Sequence, residues 1–416
     1  MRSLPKVLTP LSGPLAFLSI LINILAVPQA SAFDIFDYQG PYTRAAGGAG
    51  VIMSRSGASI LHNPANLWVN PKSDSYVDVA PTRLKYQVTT PNPDLKPGTI
   101  DVPVLPLMSV GGSVKGNTGP LSFGYMFIPT GFGTKVKIED FPVAISGQYQ
   151  SATINAVQKG FKLGVGMAYK IRQDLCVGFS IINNFASSRT AITVRGQELL
   201  NLENSSSSLH LGLGLRYQLA NLGTIAAVFR PSTDMHYTLK VRALGSDSQS
   251  FYRRDYRPTL YGIGGHSRPL GKFEPFAQYA YERWIPATLY AQSPTQAVSG
   301  TAPVEYLNAY NYVLGSRYEL ETSRHLSLSY SFFSKNKGAG VLGEAGQVAM
   351  QGRGAQDFEA LDRTHMTAGY EISTKSADWL VYGSYIHATA QSPEDTPSAG
   401  FYEMTAFLVG LGYVSR

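Results

Sequence analysis

Seven histidines (His62, His210, His236, His266, His325, His365 and His387) are the side chains best suited to acid–base or metal chemistry. No pair of them stands in an H-E-x-x-H or cysteine–histidine spacing, so the sequence offers no zinc centre. Cys176 is the single cysteine, which excludes an internal disulfide framework. His210, His236 and His266 fall in neighbouring alternating segments and could share a face with a serine or a carboxylate. Filling a polar interior explains them better than a catalytic triad does. Gly262-Ile263-Gly264-Gly265 is glycine alternation within an extended run, and no strand–helix unit accompanies it to make a nucleotide loop. Phe251-Tyr252-Arg253-Arg254-Asp255-Tyr256-Arg257 is the densest basic–aromatic cluster, placed by its surroundings in an exposed loop. Its arginines could hold phosphate or carboxylate bidentately or simply keep the loop solvated. No catalytic residue, metal ligand or cofactor site is expected, and the pattern does not read as an enzyme.

The stretch that sets the chain apart is Gly40 to Leu67, small, rich in glycine and alanine, and closing on Asn63-Pro64-Ala65-Asn66-Leu67. Asn63 is suited to cap a local turn whose backbone Pro64 fixes. Too short to bury a core, residues 33–72 are the right size for a plug inside something wider. Ahead of them, Arg2 and Lys6, the apolar run Val7 to Ala26 and Ala30-Ser31-Ala32 compose a cleavable export signal over residues 1–32. An uncleaved anchor is the alternative. Cleavage would leave Phe33, Ile35, Phe36 and Tyr38 as an apolar mature N-terminus.

Charged residues make up 15% of the chain, against roughly 25% in soluble domains. With 25 tyrosines and 41 glycines, and no later stretch apolar enough for a membrane helix, this composition suits a transmembrane β-barrel. The formal charge of +7 comes from scattered basic residues in an exported chain, so nucleic acid is not an expected partner. Period-two alternation fills the chain from Ser73 to its end. Leu209, Leu211, Leu213, Leu215, Tyr217 and Leu219 alternate with His210, Gly212, Gly214, Arg216 and Gln218. Phe161 to Ile171 and Phe407 to Tyr413 repeat the pattern. Alternation alone leaves a secreted sandwich or propeller open.

Spacing argues for the barrel. Fourteen strands are expected, over approximately 74–86, 107–116, 119–129, 148–171, 174–195, 207–219, 223–241, 257–269, 272–288, 306–321, 325–335, 364–374, 377–389 and 404–415. Short turns, such as Arg172-Gln173-Asp174 and Lys375-Ser376, alternate with links of about ten to nearly thirty residues, the asymmetry of outer-membrane barrels. The long links are Thr89 to Pro106, Gly131 to Gly147, Pro286 to Pro303, Asn336 to Asp362 and Gln391 to Gly400, with a further one before residue 207. Tyr169, Tyr217, Tyr281, Trp284, Tyr318, Trp379 and Tyr413 gather near strand ends as an interfacial girdle. The fold class is therefore all-β: an antiparallel transmembrane barrel of about fourteen strands (73–416), with an N-terminal plug (33–72). Such a barrel is wide enough to leave a hole unless something fills it.

At Arg44-Ala45-Ala46-Gly47-Gly48-Ala49-Gly50-Val51 and Ala58-Ser59-Ile60-Leu61-His62-Asn63-Pro64-Ala65-Asn66-Leu67 the chain resembles the long-chain fatty-acid outer-membrane transporters (FadL-like). Weaker matches run through Ala168-Tyr169-Lys170-Ile171, Leu175-Cys176-Val177-Gly178, Phe229-Arg230-Pro231 and Phe276-Ala277-Gln278-Tyr279. The resemblance implies an outer-membrane barrel that passes hydrophobic small molecules without energy input. Ligand contacts would come from Phe33, Ile35, Phe36, Asn63, Pro64 and Ala65. It further implies lateral release at a kinked third strand, at Pro129, Gly131 and Gly133. Proline removes a ladder donor there and glycine permits a bend. Two departures stand out: Ser54-Arg55-Ser56-Gly57 occupies a place where the family carries acids, and the chain ends Tyr413-Val414-Ser415-Arg416 rather than on an aromatic. The expected partners are a hydrophobic ligand and outer-membrane lipid with lipopolysaccharide, and the chain is expected to be monomeric. A barrel that docks secretion cargo or anchors an assembly, and an open polar porin, are the alternative readings.

Overall fold

The structure is a computed structural model that describes residues 39–70, 72–89, 98–116, 119–129, 134–145, 148–243, 249–283, 287–291, 300–304, 308–334, 362–392 and 400–415. The strands are β1 (Asp74–Thr89), β2 (Gly98–Lys115), β3 (Leu121–Pro129), β4 (Thr134–Ile145), β5 (Gln148–Arg172), β6 (Leu175–Val194) and β7 (Gln197–Leu219). They continue as β8 (Gly223–Arg230), β9 (Thr233–Ala243), β10 (Gln249–Arg257), β11 (Thr259–Ser267), β12 (Phe273–Arg283), β13 (Ala287–Ala291) and β14 (Gly300–Val304). The last are β15 (Ala309–Glu321), β16 (Arg324–Phe333), β17 (Asp362–Ser373), β18 (Ala377–Ser392) and β19 (Gly400–Ser415). Seventeen of them form one antiparallel sheet, closed because β1 pairs with both β2 and β19; β13 and β14 form a separate hairpin.

Three positions in the wall are each occupied by two strands end to end. β3 and β4 lie in line against β5, β8 and β9 against β7, and β10 and β11 against β9 and β8. Seventeen strands less these three interruptions give fourteen staves, as the sequence spacing predicts. A proline stands at every break: Pro129 at the end of β3, Pro231 between β8 and β9, and Pro258 between β10 and β11. Proline has no N–H for the ladder, which is why interior strands stop there.

The alternation resolves with its apolar side outward. In β3, Phe123 is 52% exposed and Tyr125 50%, whereas Ser122 is fully buried and Met126 and Ile128 are 1% exposed. Leu163, Val165 and Met167 of β5 and Phe407, Val409 and Leu411 of β19 likewise face out, and Gly164, Gly166 and Leu408 face in. A soluble sandwich would do the reverse, since apolar burial drives its folding. An apolar exterior around a polar or small-residue interior belongs in lipid. Rings gather at the short-turn end, with Trp379 against Tyr413 and Phe273 against Tyr318, both 4.7 Å between centroids. A second set lies toward the other end, including Phe229–Tyr261 and Tyr279–Tyr312. Trp284 lies outside the described residues.

Several expected long links are instead strand. Residues between Gly131 and Gly147 form β4, and β2 starts at Gly98 within the expected 89–106 loop. Phe251 to Arg257 belongs to β10, paired with β9, rather than to a loop. β6 and β7 are joined by Arg195 and Gly196 alone, whose φ angles of 51° and 80° are those of a tight hairpin turn. β5 has 25 residues and β7 has 23, while about 9–11 suffice to cross a bilayer. These hairpins therefore project beyond the membrane. Their outer parts carry serine, threonine and asparagine on both faces, so they lack the apolar alternation that announces a strand. Strict length alternation of the connections fails for the two hairpins β4–β5 and β6–β7.

Candidate functional site

Within the barrel, residues 39–70 form five short helical pieces. α1 (Pro41–Ala45) starts with proline at its first position, where a missing N–H costs nothing. Gly47 and Gly48, with φ of 64° and 95°, then turn the chain into α2 (Gly50–Met53). A 3₁₀ turn over Ser56–Ala58 leads into α3 (Ser59–His62), and a second 3₁₀ turn spans Pro64–Trp68. None would persist alone at this length; the wall holds them.

Asn63 caps the last turn, its Oδ1 accepting from the Ala65 N–H at 3.1 Å. Its Nδ2 donates to the Val51 carbonyl at 3.1 Å and to the Leu215 carbonyl of β7 at 3.2 Å. Asn66 Nδ2 reaches the same Val51 oxygen at 3.0 Å and Ser54 Oγ at 3.0 Å. One plug carbonyl thus gathers two side-chain amides. Opposite them, Gly178 of β6 pairs with Gly214 of β7. A Cβ on Gly178 would lie 2.3 Å from the Ala65 nitrogen, and one on Gly214 would lie 2.1 Å from Asn63 Oδ1. The absent side chains are the space the Asn63-Pro64-Ala65 turn occupies. Arg216 of β7 completes the grip, donating to the Ile52 carbonyl at 3.2 Å and to Asn66 Oδ1 at 3.0 Å.

Two apolar contacts flank this turn. Ile60, Leu61 and Leu67 pack against Met126, Ile128, Ala168 and Ile182, and Ala46, Ala49, Val51 and Ile52 pack against Ala226, Val228, Phe276 and Val313. At the closure seam the fixing is ionic. Arg44 meets Asp78 of β1 at 3.3 Å, and Asp78 also accepts from Tyr382 Oη of β18 at 2.5 Å and from the Gly40 N–H at 3.2 Å. Tyr42 Oη donates to Asp378 of β18. Arg55 lies 4.7 Å over the Tyr42 ring, and Ser56 Oγ donates to Asp74 of β1 at 2.5 Å. The Ser54-Arg55-Ser56-Gly57 departure is thus matched by acids on the wall. Burial works against charge on Arg44 and Arg55. Asp78 beside the first, and Tyr42, Glu371 and Asp378 around the second, nevertheless hold both above the usual arginine range.

Toward the short-turn end, Lys115 Nζ donates to the Trp68 carbonyl at 2.8 Å and sits 4.5 Å from the centre of its ring; Lys170 Nζ lies 5.6 Å from the same centre. His266, Glu274, Arg317 and Glu371 form a polar chain across β11, β12, β15 and β17: His266 Nδ1 lies 2.7 Å from Glu274, and Arg317 pairs with Glu274 at 3.5 Å and with Glu371 at 2.8 Å. His210 bonds Ser208 at 2.9 Å. Among the described residues, no group of three or more His, Cys, Asp or Glu is arranged to hold a metal.

Of the residues expected to meet ligand, Asn63, Pro64 and Ala65 are buried against the β6–β7 wall. Phe33, Ile35 and Phe36 lie outside the described residues. Pro129 ends β3 at the expected kink, and Gly131 and Gly133 also lie outside the described residues. The wall beside that kink is incomplete: β2 pairs with β3 only over Val110–Lys115, and among the described residues no ladder joins the rest of β2 to β4. Pro103 and Pro106 occur on that half of β2, as suits an edge. The residues sequence reasoning passed over are Asp74, Asp78, Asp378 and Tyr382. Their one visible signal is an inward phase within an alternating strand.

No family model matches the chain, and no curated protein matches it. Solved structures do. The P. putida toluene transporter TodX is 11% identical, with 91% of this chain and 99% of that one covered and a TM-score of 0.62. A Pseudomonas aeruginosa FadL homologue is 10% identical, covering 91% and 98%, TM-score 0.63. The Ralstonia pickettii toluene transporter TbuX is 13% identical, covering 91% and 98%, TM-score 0.63. At such identities the likeness is one of fold: a plugged barrel of the FadL-like kind, aligned over nearly its whole length.

Proposed function

We propose that this chain is an outer-membrane channel that carries hydrophobic small molecules, long-chain fatty acids or similar, down their own gradient. The observation that carries the reading is the pairing of a filled lumen with a broken wall. The plug occupies the bore, and beside it β2 runs past the end of β3 laddered, among the described residues, on its β1 side alone. A polar solute has no reason to leave sideways, whereas a hydrophobic one gains by moving directly into lipid. Residues 1–32 serve as the export signal. Phe33, Ile35 and Phe36 would meet ligand above the plug, the Asn63-Pro64-Ala65 turn would relay plug movement, and Pro129, Gly131 and Gly133 would frame the exit. The solved neighbours include toluene transporters and a monoaromatic hydrocarbon channel, which supports a hydrophobic cargo. A single chain suffices for this path, and its outer hairpins would stand among lipopolysaccharide.

The test is uptake of radiolabelled oleate and of toluene by a strain lacking the gene and by the same strain complemented. Mass spectrometry of lipids retained on the purified protein accompanies it. Restored uptake of either probe, with a retained hydrophobe, is the expected result. Unchanged uptake and a stoichiometric protein partner on purification would favour the docking role instead.

A further inference from the structure

The outer surface of the wall changes character along β5, β6, β7 and β9. Phe161 of β5 and Phe185 of β6 are register partners that face outward, their ring centroids 4.9 Å apart. They close the upper edge of the apolar band to which Leu163, Val165, Leu209 and Leu213 belong. Side chains two apart on a strand share a face, so the rows beyond these rings stay on the outside. The first row holds Lys159, Ser187 and Ser205; Arg189, Glu203 and Lys240 share the second; Asn201 and Arg242 stand in the third. All four cations are exposed, whereas Ser206 and Ser208, on the other face of β7, are buried toward the bore. Two residues advance a strand by about 6.8 Å, and at a tilt of about 40° each row stands about 5 Å farther from the membrane than the last. Glu203 lies 3.8 Å from Arg189, and Glu198 accepts from the Asn201 amide at 3.0 Å. Lys159, Lys240 and Arg242 enter no ion pair among the described residues. Register also sets Lys135 and Lys137 of β4 in the second and third rows.

Short turns mark the periplasmic end of such a barrel, so this strip stands at the outer leaflet. Keeping a hairpin solvated needs charge of either sign in any order. Here the order runs from hydrocarbon to aromatic rings, then to hydroxyls beside a lysine, then to a cationic row. A phosphorylated glycolipid has the same sequence of parts: acyl chains, then sugars carrying phosphate. Lysine and arginine give phosphate charge-assisted hydrogen bonds, arginine bidentately, and serine hydroxyls suit a sugar. A protein partner would match the charge but not its continuity with the lipid-facing band below. We propose that this outward face, with Lys159, Arg189, Lys240 and Arg242 as its cations, binds the phosphorylated sugar head of lipopolysaccharide, whose acyl chains lie along the apolar band. The inference rests on the barrel and its orientation and is independent of the cargo.

The experiment titrates the purified protein with rough lipopolysaccharide, with the same lipopolysaccharide stripped of its phosphates, and with phosphatidylglycerol, reading bound lipid by native mass spectrometry. Wild type is expected to hold the phosphorylated glycolipid at least about tenfold more tightly than either of the others. Lys159→Gln, Arg189→Gln and Lys240→Gln should each weaken it by about fivefold, the worth of one cation near an anionic surface, and the three together by about 100-fold. Lys272→Gln, exposed at the short-turn end, should leave it unchanged. Heat-modifiable migration confirms that each variant is folded, and the single variants carry the test should the triple one fail to fold. Wild-type affinity in the substituted proteins would overturn the proposal. So would equal retention of phosphatidylglycerol, which would mark a surface for anionic lipid at large, or an equal loss in Lys272→Gln. Cargo uptake is measured by none of these titrations, so the channel reading stands or falls separately.

Discussion

Arg44 and Asp78 meet where neither reaches water, their side chains 4% and 0% exposed. Removing one partner leaves a buried charge, typically a loss of about 3–5 kcal/mol, whereas removing both together costs much less. Arg44→Met and Asp78→Asn should each destabilise plug seating strongly, and the double variant should recover most of the loss. Hydrogen exchange at Gly40 to Ala46, compared through a double-mutant cycle, reads this directly. Gly214→Val makes the complementary test. Its side chain would occupy the place of Asn63 Oδ1. The expected outcome is a folded barrel by heat-modifiable migration with a displaced plug, seen as raised ion conductance in planar bilayers. Residue roles were only half legible beforehand. Asn63 announces a cap because its type and the following proline are local facts. Asp78 does not announce Arg44, because the acid sits in an unremarkable alternating strand and its partner lies outside the strand pattern altogether.

Strand positions were the most legible element-level property, since a two-sided wall imposes its period on every crossing. What escaped was where each strand stops. Polar upper hairpins keep their backbone ladder without an apolar face, so β7 begins at Gln197 rather than near residue 207. The broken staves follow proline, and β3 ends at Pro129. Two further breaks, at Pro231 and Pro258, fall side by side, because β8 pairs with β11 and β9 with β10. The half of β2 laddered on its β1 side alone gives an element-scale prediction. In hydrogen exchange, amides over Gly98–Ser109 should on average exchange faster than those over Val110–Ser113, where β2 is laddered on both sides. Uniform protection along β2 would mean that the wall is complete and that lateral exit has no opening.

For the molecule as a whole, the segment 39–70 is packed inside the barrel. Intact protein is expected to show little ion current in planar bilayers, and deletion of residues 39–70 should produce a large ohmic one. A high current from the intact chain would instead describe an open porin. The seam contacts carry a consequence for biogenesis. The plug belongs to the first part of the chain, yet Tyr42 reaches Asp378 across 336 positions and Arg44 reaches Tyr382 across 338. Contacts of that separation form late, after the intervening loop entropy has been met. During assembly the N-terminal segment must therefore wait, tethered at β1, until the last hairpin arrives. It then binds Asp78 on the first strand and Asp378 near the last, like a clasp across the closing edges. A barrel that lost or misplaced β18 would leave Tyr42 and Arg44 without that hairpin's Asp378 and Tyr382, so a seated N-terminal segment also certifies that the wall around it has been finished.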